Sequence, residues 1–250
     1  NKNIQFFKNI NEIDTNDSFI FNSVPESMTD KSKLWQHFQG VEIETEKDIF
    51  DDGIINLMDF NCDQRSTVHF FYTLPFTKNK ALIETTWLSR FDDDTLKDYD
   101  SQIVKYIKEN LGIQKYKINF KERGAIPLFY PTSTKEINKI NIGSAGCMTR
   151  LSTGYAFLNI QEHSKYIRKN IDNIVNVKNY GIGKKYELLD NIFLKVLKKY
   201  PERMPDIFLK MFTSKASTVI KFLSNKSSIL EDVFIILKMP KWIFIKVLFK

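Results

Sequence analysis

The residues best able to carry chemistry in this sequence are one carboxylate and one small-residue turn. Glu84 lies in the middle of an apolar, β-rich segment, ALIETTWL, where a charged carboxylate is costly unless it is paired or functional. A desolvated carboxyl group has a raised pKa and becomes an acid able to protonate a substrate near neutral pH. Exposure of Glu84 on the open side of an antiparallel sheet explains the same pattern, so both interpretations stay open.

The second candidate is the turn within residues 140–157, INIGSAGCMTRLSTGYAF. The small side chains of Gly143, Ser144, Ala145 and Gly146 allow the backbone to approach a ligand closely, and the N–H groups of a following helix attract an anion. A tight strand-to-helix turn without a ligand explains the same residues equally well. The segment is not a GxGxxG turn, and that pattern occurs nowhere in the sequence.

Glu84 must be positioned by a strand, and the sequence predicts a hairpin around it. Two β-rich runs at 68–74 and 81–88 flank a polar tip. In the second run Glu84 shares a face with Leu82, Thr86 and Leu88, while residues 81, 83, 85 and 87 form the other face. The alternation of Val41 and Ile43 with glutamates predicts a further half-buried strand. We expect a turn at Gly40 before it.

Strands are also predicted at 19–21 and 116–120, and a helix is predicted from about residue 95 to 110. The acidic run at 92–94 precedes this helix and is read as its N-terminal cap rather than as a metal site. Residues 25–135 are therefore expected to form a mostly antiparallel sheet with one helix across it. His37, taken alone, is read as a hydrogen-bonded structural histidine.

The last third of the chain is helical in pattern and basic. Helices are predicted over 160–174, 189–197, 206–211, 216–223 and 229–250, the last one broken at Pro240. Residues 151–250 contain 18 Lys+Arg and 8 Asp+Glu, a net charge of +10, whereas residues 1–150 carry −3. This asymmetry predicts contact with an anionic surface, either nucleic acid or membrane headgroups. No RRM, KH or helix-turn-helix signature supports nucleic acid.

The segment 229–250 mixes aromatic and aliphatic residues with four lysines. It is too short and too charged to span a bilayer, which requires roughly 20 apolar residues. It suits the interface of an anionic membrane, or packing on the core, or both. Cys62 and Cys147 form no CxxC motif and the three histidines are scattered, so we expect neither a disulfide framework nor a metal site, and a cytoplasmic setting.

Taken in order, several segments resemble the flavoprotein lycopene cyclase family. They are LWQHFQG with VEIET, INLMDF, FFYTLPF with ALIETTWLS, ERGAIP, and GSAGCMTRLSTGYAF with IQEHSKYI. The resemblance implies a glutathione-reductase-like FAD-binding fold of the α/β class, with an antiparallel substrate-domain sheet and a C-terminal helical region. Such proteins begin with a βαβ dinucleotide-binding unit, which this sequence lacks, so we expect a truncated α+β fragment of a longer protein.

The resemblance also implies a division of the chain. Residues 1–24 would be the tail of the nucleotide-binding domain, and residues 25–135 the antiparallel-sheet substrate domain. Residues 136–160 would be the returning FAD-binding strand, turn and helix, and residues 161–250 the basic helical region. Because the missing βαβ unit holds most of the pyrophosphate cradle, activity is expected of the whole protein rather than of this segment alone.

By position in these motifs, Glu84 corresponds to the family's essential acid. The residues expected to bind FAD are Gly143, Ser144, Ala145, Gly146, Met148, Ser152, Thr153, Gly154 and Tyr155. Related flavoproteins often carry an acidic residue at the position of Ser144. The residues expected to line the polyene tunnel are Gln36, His37, Phe38 and Glu122.

The function implied by the resemblance is carotenoid biosynthesis. The enzyme, an intramolecular lyase or isomerase, would close the ends of lycopene into β-rings. It would use reduced FAD, with NAD(P)H as reductant, and would lie peripherally on the inner face of the membrane, without nucleic acid. The alternative is a flavin-dependent isoprenoid reductase or monooxygenase on the same fold. A non-enzymatic basic protein that binds membrane or nucleic acid is a third class, and it predicts no flavin and no role for Glu84.

Overall fold

The computed structural model describes residues 4–9, 12–13, 18–25, 30–130 and 138–249. Within these residues lie seven strands: β1 (Ile20–Asn22), β2 (Leu34–Glu44), β3 (Asn56–Asp59), β4 (Val68–Thr77), β5 (Lys80–Arg90), β6 (Lys117–Pro127) and β7 (Lys139–Asn141). They also contain seven α-helices: α1 (Tyr99–Glu109), α2 (Phe157–Lys169), α3 (Lys184–Lys199), α4 (Met204–Phe212), α5 (Ala216–Leu223), α6 (Ile229–Lys238) and α7 (Lys241–Leu248). The fold is therefore mixed α/β, with an antiparallel sheet followed by a helical C-terminal part.

The main sheet has five antiparallel strands in the order β3-β4-β5-β2-β6. The predicted hairpin is confirmed, because β4 and β5 pair across a tip at residues 78–79. The turn predicted at Gly40 is wrong. Gly40 lies inside β2, paired with Glu84 on β5 and with Glu122 on β6. A glycine within a strand often marks a close approach of neighbouring groups, and that is its role at this position.

Helix α1 covers one face of the sheet. The core between them contains Val41, Ile43, Phe71, Ala81, Ile83, Ile103, Tyr106, Ile107 and Ile113. The predicted helix begins later than expected, because residues 94–96 form a separate 3-10 turn before α1 starts at Tyr99. The acidic run caps that turn: the Asp93 carboxylate accepts a hydrogen bond from the Thr95 N–H at 3.1 Å.

The C-terminal helices cover part of the opposite face, the face that carries Glu84. Val68, Phe70 and Leu88 of the sheet share one core with buried residues of α3, α4, α5, α6 and α7. The predicted break at Pro240 is confirmed, since α6 ends at Lys238 and α7 begins at Lys241. Among the described residues, no helix has both the length and the apolar content to cross a bilayer.

A second, two-stranded sheet is formed by β1 and β7, which run parallel. The Asn22 side-chain amide donates to the Asn141 Oδ1 at 2.9 Å, and the Ile142 N–H donates to the Asn22 carbonyl at 2.8 Å. These bonds hold the start of the small-residue turn against β1. The predicted domain boundaries at residues 24, 135 and 160 stay a prediction, and the one at 135 lies outside the described residues.

Candidate functional site

Four residues, Tyr72, Glu84, Gly40 and Glu122, form a row across the middle of the main sheet. The register pairs Tyr72 with Glu84, Glu84 with Gly40, and Gly40 with Glu122. Directly opposed residues of antiparallel strands project from the same face. Glu84 and Glu122 are two strands apart, with Cα atoms about 10 Å from each other, since neighbouring strands lie about 4.8 Å apart. Their carboxyl groups therefore flank a residue that has no side chain.

Gly40 provides the space between these two carboxyl groups. A Cβ atom added at Gly40 would lie 3.1 Å from Glu122 Oε1, 3.2 Å from Glu122 Cγ and 3.1 Å from Leu82 Cδ1. The Glu122 side chain therefore lies over the Gly40 backbone, toward Glu84. Any other residue at position 40 would displace it. The glycine is thus the element that brings two acidic side chains together on one face.

The Glu84 carboxyl group is half-buried and acts as a weak acid. Burial raises its pKa to about 7, and the negative charge of Glu122 contributes in the same direction. A hydrogen bond from Thr86 Oγ1 to Glu84 Oε1, 2.7 Å long, partly opposes this rise. Burial, with Glu84 as a second cause, also raises the pKa of Tyr72, which therefore stays neutral beside it. A carboxyl group with this pKa holds and releases a proton near neutral pH.

Gln36 and Phe38 lie on the same face of β2 as Gly40. Along this face they lie between the carboxyl groups of Glu84 and Glu122 and the loop that contains Gly154. A Cβ on Gly124 would lie 2.6 Å from Phe38 Cζ, so the Phe38 ring packs directly on the Gly124 backbone. A Cβ on Gly154 would lie 1.9 Å from Gln36 Oε1, so the Gln36 amide contacts that glycine. Gln36 and Gly40 are four residues apart in a strand, about 13 Å.

His37 is not brought together with Gln36 and Phe38. It points to the other face of β2, where it is fully buried beneath α1. Its Nδ1 lies 2.6 Å from the Tyr99 hydroxyl and its Nε2 lies 2.7 Å from Ser89 Oγ. Burial lowers its pKa to about 3, so the ring is neutral in the folded protein. These contacts agree with the structural interpretation of His37.

The small-residue turn is closed by its own backbone. The Gly146 N–H donates to the Ile142 carbonyl at 3.0 Å, and the Met148 N–H donates to the Gly143 carbonyl at 3.2 Å. In the described part of the chain, the N–H groups of Gly143, Ser144 and Ala145 donate to no protein acceptor. Such a run of unpaired N–H groups attracts an anion.

The two glycines of this turn have different structural roles. Gly143 has a φ of +56°, and a Cβ added there would meet nothing within 4 Å, so the space beside it is open. Gly146 is required for packing, because a Cβ would lie 2.6 Å from the Asn141 carbonyl oxygen. The turn therefore combines open space for a ligand on one side with tight packing on β7. Its helix, α2, begins only at Phe157, ten residues beyond Cys147.

The loop that follows is anchored by a buried ion pair, Arg150 with Asp190 of α3. Both side chains are inaccessible, with exposures of 0% and 1%. The Arg150 Nη2 lies 2.6 Å from Asp190 Oδ1, and Arg150 also donates to the Phe222 carbonyl. The same carboxylate accepts from the Leu151 N–H at 3.0 Å and from Ser152 Oγ at 2.7 Å. Asp190 therefore fixes the backbone of residues 150–152.

This anchoring separates the predicted cofactor residues into two groups. Met148 and Ser152 are buried, and the Ser152 hydroxyl donates to Asp190, so these two side chains hold the loop in place. Thr153, Gly154 and Tyr155 are only half-buried. Gly154 has a φ of +69°, which turns the chain back toward Gln36.

The sequence analysis did not predict the roles of Gly40, Arg150 and Asp190 in the site. Gly40 reads locally as a turn, and only the strand register reveals its position between two glutamates. Arg150 and Asp190 are 40 residues apart in the sequence, and no periodicity links them. One signal was present for Asp190: it is an acidic residue next to Leu189 in the apolar stripe of a helix, where an unpaired charge is costly.

A model of the lycopene cyclase protein family matches residues 11–247 of the chain. No curated protein matches it. A geranylgeranyl bacteriochlorophyll reductase-like protein from Thermoplasma acidophilum aligns in structure with a TM-score of 0.54 and 12% identity, over 87% of this chain and 55% of its own. The chain thus spans about half the length of that protein, and the likeness concerns the fold.

Two other solved structures align less well. A flavin-dependent brominase has a TM-score of 0.39 and 10% identity, over 82% of this chain and 51% of its own. The p-nitrophenol 4-monooxygenase of Pseudomonas putida DLL-E4 has a TM-score of 0.36 and 11% identity, over 92% of this chain and 54% of its own. With TM-scores this low, neither alignment carries an argument about this chain.

Proposed function

The chain belongs to the lycopene cyclase family, and on that premise we propose that the whole protein closes the ends of lycopene, or a related linear carotenoid, into β-rings by acid catalysis. The observation that carries the proposal is the half-buried Glu84, whose pKa of about 7 is raised by burial and by Glu122. A hydrocarbon substrate offers no polar handle, so the reaction must begin with a proton placed on carbon. Glu84 is the acid suited to that step.

The proposed reaction moves protons and carbon–carbon bonds without net oxidation or reduction. A proton from Glu84 adds to one carbon of the terminal double bond and leaves a cation on the other carbon. A second double bond of the same chain attacks this cation and closes the ring. Loss of a proton from an adjacent carbon then forms the ring double bond, and the carboxylate pair of Glu84 and Glu122 supplies the acceptor. The product is an isomer of the substrate.

The residues around the acid have supporting roles. Phe38 and Thr86 lie on the same face of the sheet as Glu84 and Glu122, between these two carboxyl groups and the loop that contains Gly154. The Phe38 ring offers an apolar surface that excludes water, which would otherwise trap the cation. The Thr86 hydroxyl donates to Glu84 Oε1 and so orients the carboxyl group. The space between Gln36 and Glu84 is the proposed position of the reacting end.

The turn and loop fit part of an FAD site. The unpaired N–H groups of residues 143–145 and the open space beside Gly143 would hold the polar chain of FAD, with Thr153, Gly154 and Tyr155 beside its ring system. When bound in its reduced, anionic form, FAD supplies negative charge that stabilises a nearby cation. NAD(P)H is the proposed reductant that keeps FAD in that form. The remainder of the FAD site would come from a βαβ unit of a glutathione-reductase-like fold in the whole protein.

The proposed location is peripheral, on the inner face of a membrane, and the solubility of the substrate in lipid supports contact with a membrane. Helices α6 and α7 expose large apolar side chains, including Phe234 at 67% and Trp242 at 69%, next to Lys238, Lys241 and Lys246. Such a combination suits an anionic membrane surface. Deletion of residues 229–250 from the full-length protein should lower its partitioning to anionic vesicles. Equal partitioning with and without these residues would count against peripheral binding.

The catalytic proposal is tested in a lycopene-producing host that expresses the full-length protein. Glu84→Gln should abolish cyclic carotenoid while FAD binding stays normal, because glutamine cannot donate a proton to carbon. Glu109→Gln, an exposed change at the end of α1, is the control and should retain activity. Normal amounts of cyclic product from Glu84→Gln would refute the role of Glu84. Product mass separates the alternatives. An isoprenoid reductase adds two hydrogens to the substrate and a monooxygenase adds one oxygen, whereas cyclisation leaves the mass unchanged.

A further inference from the structure

The C-terminal helices enclose a cavity of about 330 Å³ that has no role in the chemistry above. It lies among α3, α4, α5, α6 and α7, and residues 152–153 of the anchored loop complete its wall. The apolar part of the wall includes Ile192, Phe193, Met211, Phe222, Met239 and Phe244. Gln36 of the sheet contacts Gly154, the next residue of the same loop. The loop is therefore shared between the cavity and the proposed reaction site.

Three of the four polar residues in the wall, Ser152, Thr153 and Asp190, have hydrogen-bond partners inside the protein, and the fourth, Lys241, is exposed at the start of α7. Asp190 is paired with Arg150 and accepts hydrogen bonds from the Leu151 N–H and from Ser152 Oγ. The Thr153 hydroxyl accepts from the Tyr155 N–H at 3.4 Å. A mostly apolar cavity with few free hydrogen-bond partners is a poor site for water, and an apolar cavity of about 150 Å³ already binds a benzene-sized molecule. The chemistry of this cavity selects a hydrocarbon.

The cavity reaches the protein surface through the last two helices. Ile236, Ile245 and Leu248 belong to its wall and are 37%, 39% and 51% exposed. The same helices carry the exposed apolar residues and lysines described above. Met211 and Met239, with flexible thioether side chains, allow the wall to adapt to chains of different shape. An apolar chain can thus pass from the outer surface of α6 and α7 to the anchored loop along a wall in which only Lys241, at the exposed end, carries a charge without a counter-charge in the wall.

We propose that this cavity is a binding site for a hydrocarbon chain, which enters between α6 and α7 and ends against Ser152 and Thr153. Two sources share this chemistry, a methyl-branched isoprenoid and an unbranched lipid acyl chain. The inference rests on the proposed function only for the isoprenoid source. The binding site itself follows from the volume, the lining and the opening of the cavity.

The test is a titration of the full-length, FAD-loaded protein with cis-parinaric acid, a linear polyene whose fluorescence rises in apolar surroundings. Saturable binding of one probe per chain is expected. Ile192→Trp fills the cavity from α3 and should weaken binding about tenfold, the effect of excluding two methylene groups of the ligand. Leu188→Trp, an exposed change on the same helix at 60% exposure, is the matched control and should bind as the unmodified protein does.

A second variant keeps the test decisive where Ile192→Trp disturbs folding. Ile245→Glu places a charge at the half-exposed wall, where folding tolerates it, and should weaken probe binding to a similar extent. Squalene and palmitate compete as the two sources, and displacement by either supports a hydrocarbon site. Unchanged binding in both variants, or displacement by neither competitor, would overturn the proposal. Glu84→Gln should bind the probe normally, because Glu84 does not belong to the cavity wall. Probe binding therefore tests the cavity even where the catalytic role of Glu84 is refuted.

Discussion

The raised pKa of Glu84 predicts a specific dependence of stability on pH. The folded protein holds this proton up to a pH of about 7, whereas the ordinary value for a glutamate is 4.5. Between these two values the folded state binds more protons than the unfolded state, so the free energy of unfolding falls as pH rises. The contribution of the protonated Glu84 to stability is fully present below pH 4.5 and is lost as the pH rises through 7. A pKa difference of this size lowers the free energy of unfolding by about 3 kcal/mol above pH 7.

Glu84→Gln removes this dependence, since glutamine does not ionise. Relative to the unmodified full-length protein, the variant should therefore gain about 3 kcal/mol in free energy of unfolding between pH 4.5 and pH 8. Urea unfolding of both proteins at the two pH values gives the quantity as a double difference, in which other titrating groups cancel. The proposed catalytic acid is thus expected to destabilise the fold at the pH at which it works.

Glu44→Gln is the control, with the opposite sign. The Asn119 side chain donates a hydrogen bond to Glu44, and Lys80 lies beside it, so the pKa of this partly exposed carboxyl group is lowered. Its replacement should lower stability slightly at high pH rather than raise it. A double difference for Glu84→Gln that is zero, or that has the same sign as the control, would refute the burial of Glu84 on which the mechanism depends.

Three further predictions concern Glu122, the buried Asp190 and the half-buried Cys62. Glu122→Gln removes a charge that helps to raise the pKa of Glu84, so the alkaline limb of kcat/KM should move to lower pH; an unmoved limb would show that the two groups do not interact. Asp190→Asn leaves the buried Arg150 without a counter-charge, so urea unfolding should show a loss of about 3–5 kcal/mol, and an unchanged free energy of unfolding would contradict this role of the ion pair. Burial raises the pKa of Cys62 to about 12, so iodoacetamide at pH 8 should label it only after unfolding, and rapid labelling of the native protein would contradict this.

The sequence predicts those parts of the fold that depend on short-range patterns. Period-two alternation places Glu84 and Thr86 on the face opposite Ile83 and Thr85, and the structure confirms this because α1 packs only on the latter. The helical stripe from 189 to 197 is likewise local, and α3 buries it. Such patterns report which face is apolar, which is all that burial requires.

The remaining parts depend on the register between distant strands or on contacts between distant segments. Gly40 reads as a turn in its own neighbourhood, yet it lies between Glu84 and Glu122 because three strands pair at that point. The buried position of His37 could be inferred from the sequence. His37 and the buried Val41 are four residues apart in one strand and therefore point to the same face. The ion pair that anchors the loop joins residues too far apart for any local pattern to indicate.

The parallel pairing of β1 with β7 has a consequence for the order of folding. Asn22 and Asn141 are 119 residues apart, and closing a chain segment of that length costs about 4 kcal/mol in its length-dependent entropy alone. Two three-residue strands cannot repay this by themselves. The β4–β5 hairpin joins neighbours across a two-residue tip and forms early. We therefore infer that the sheet carrying the acid assembles first, and that the small-residue turn reaches its final place last, when the ends of the segment are brought together.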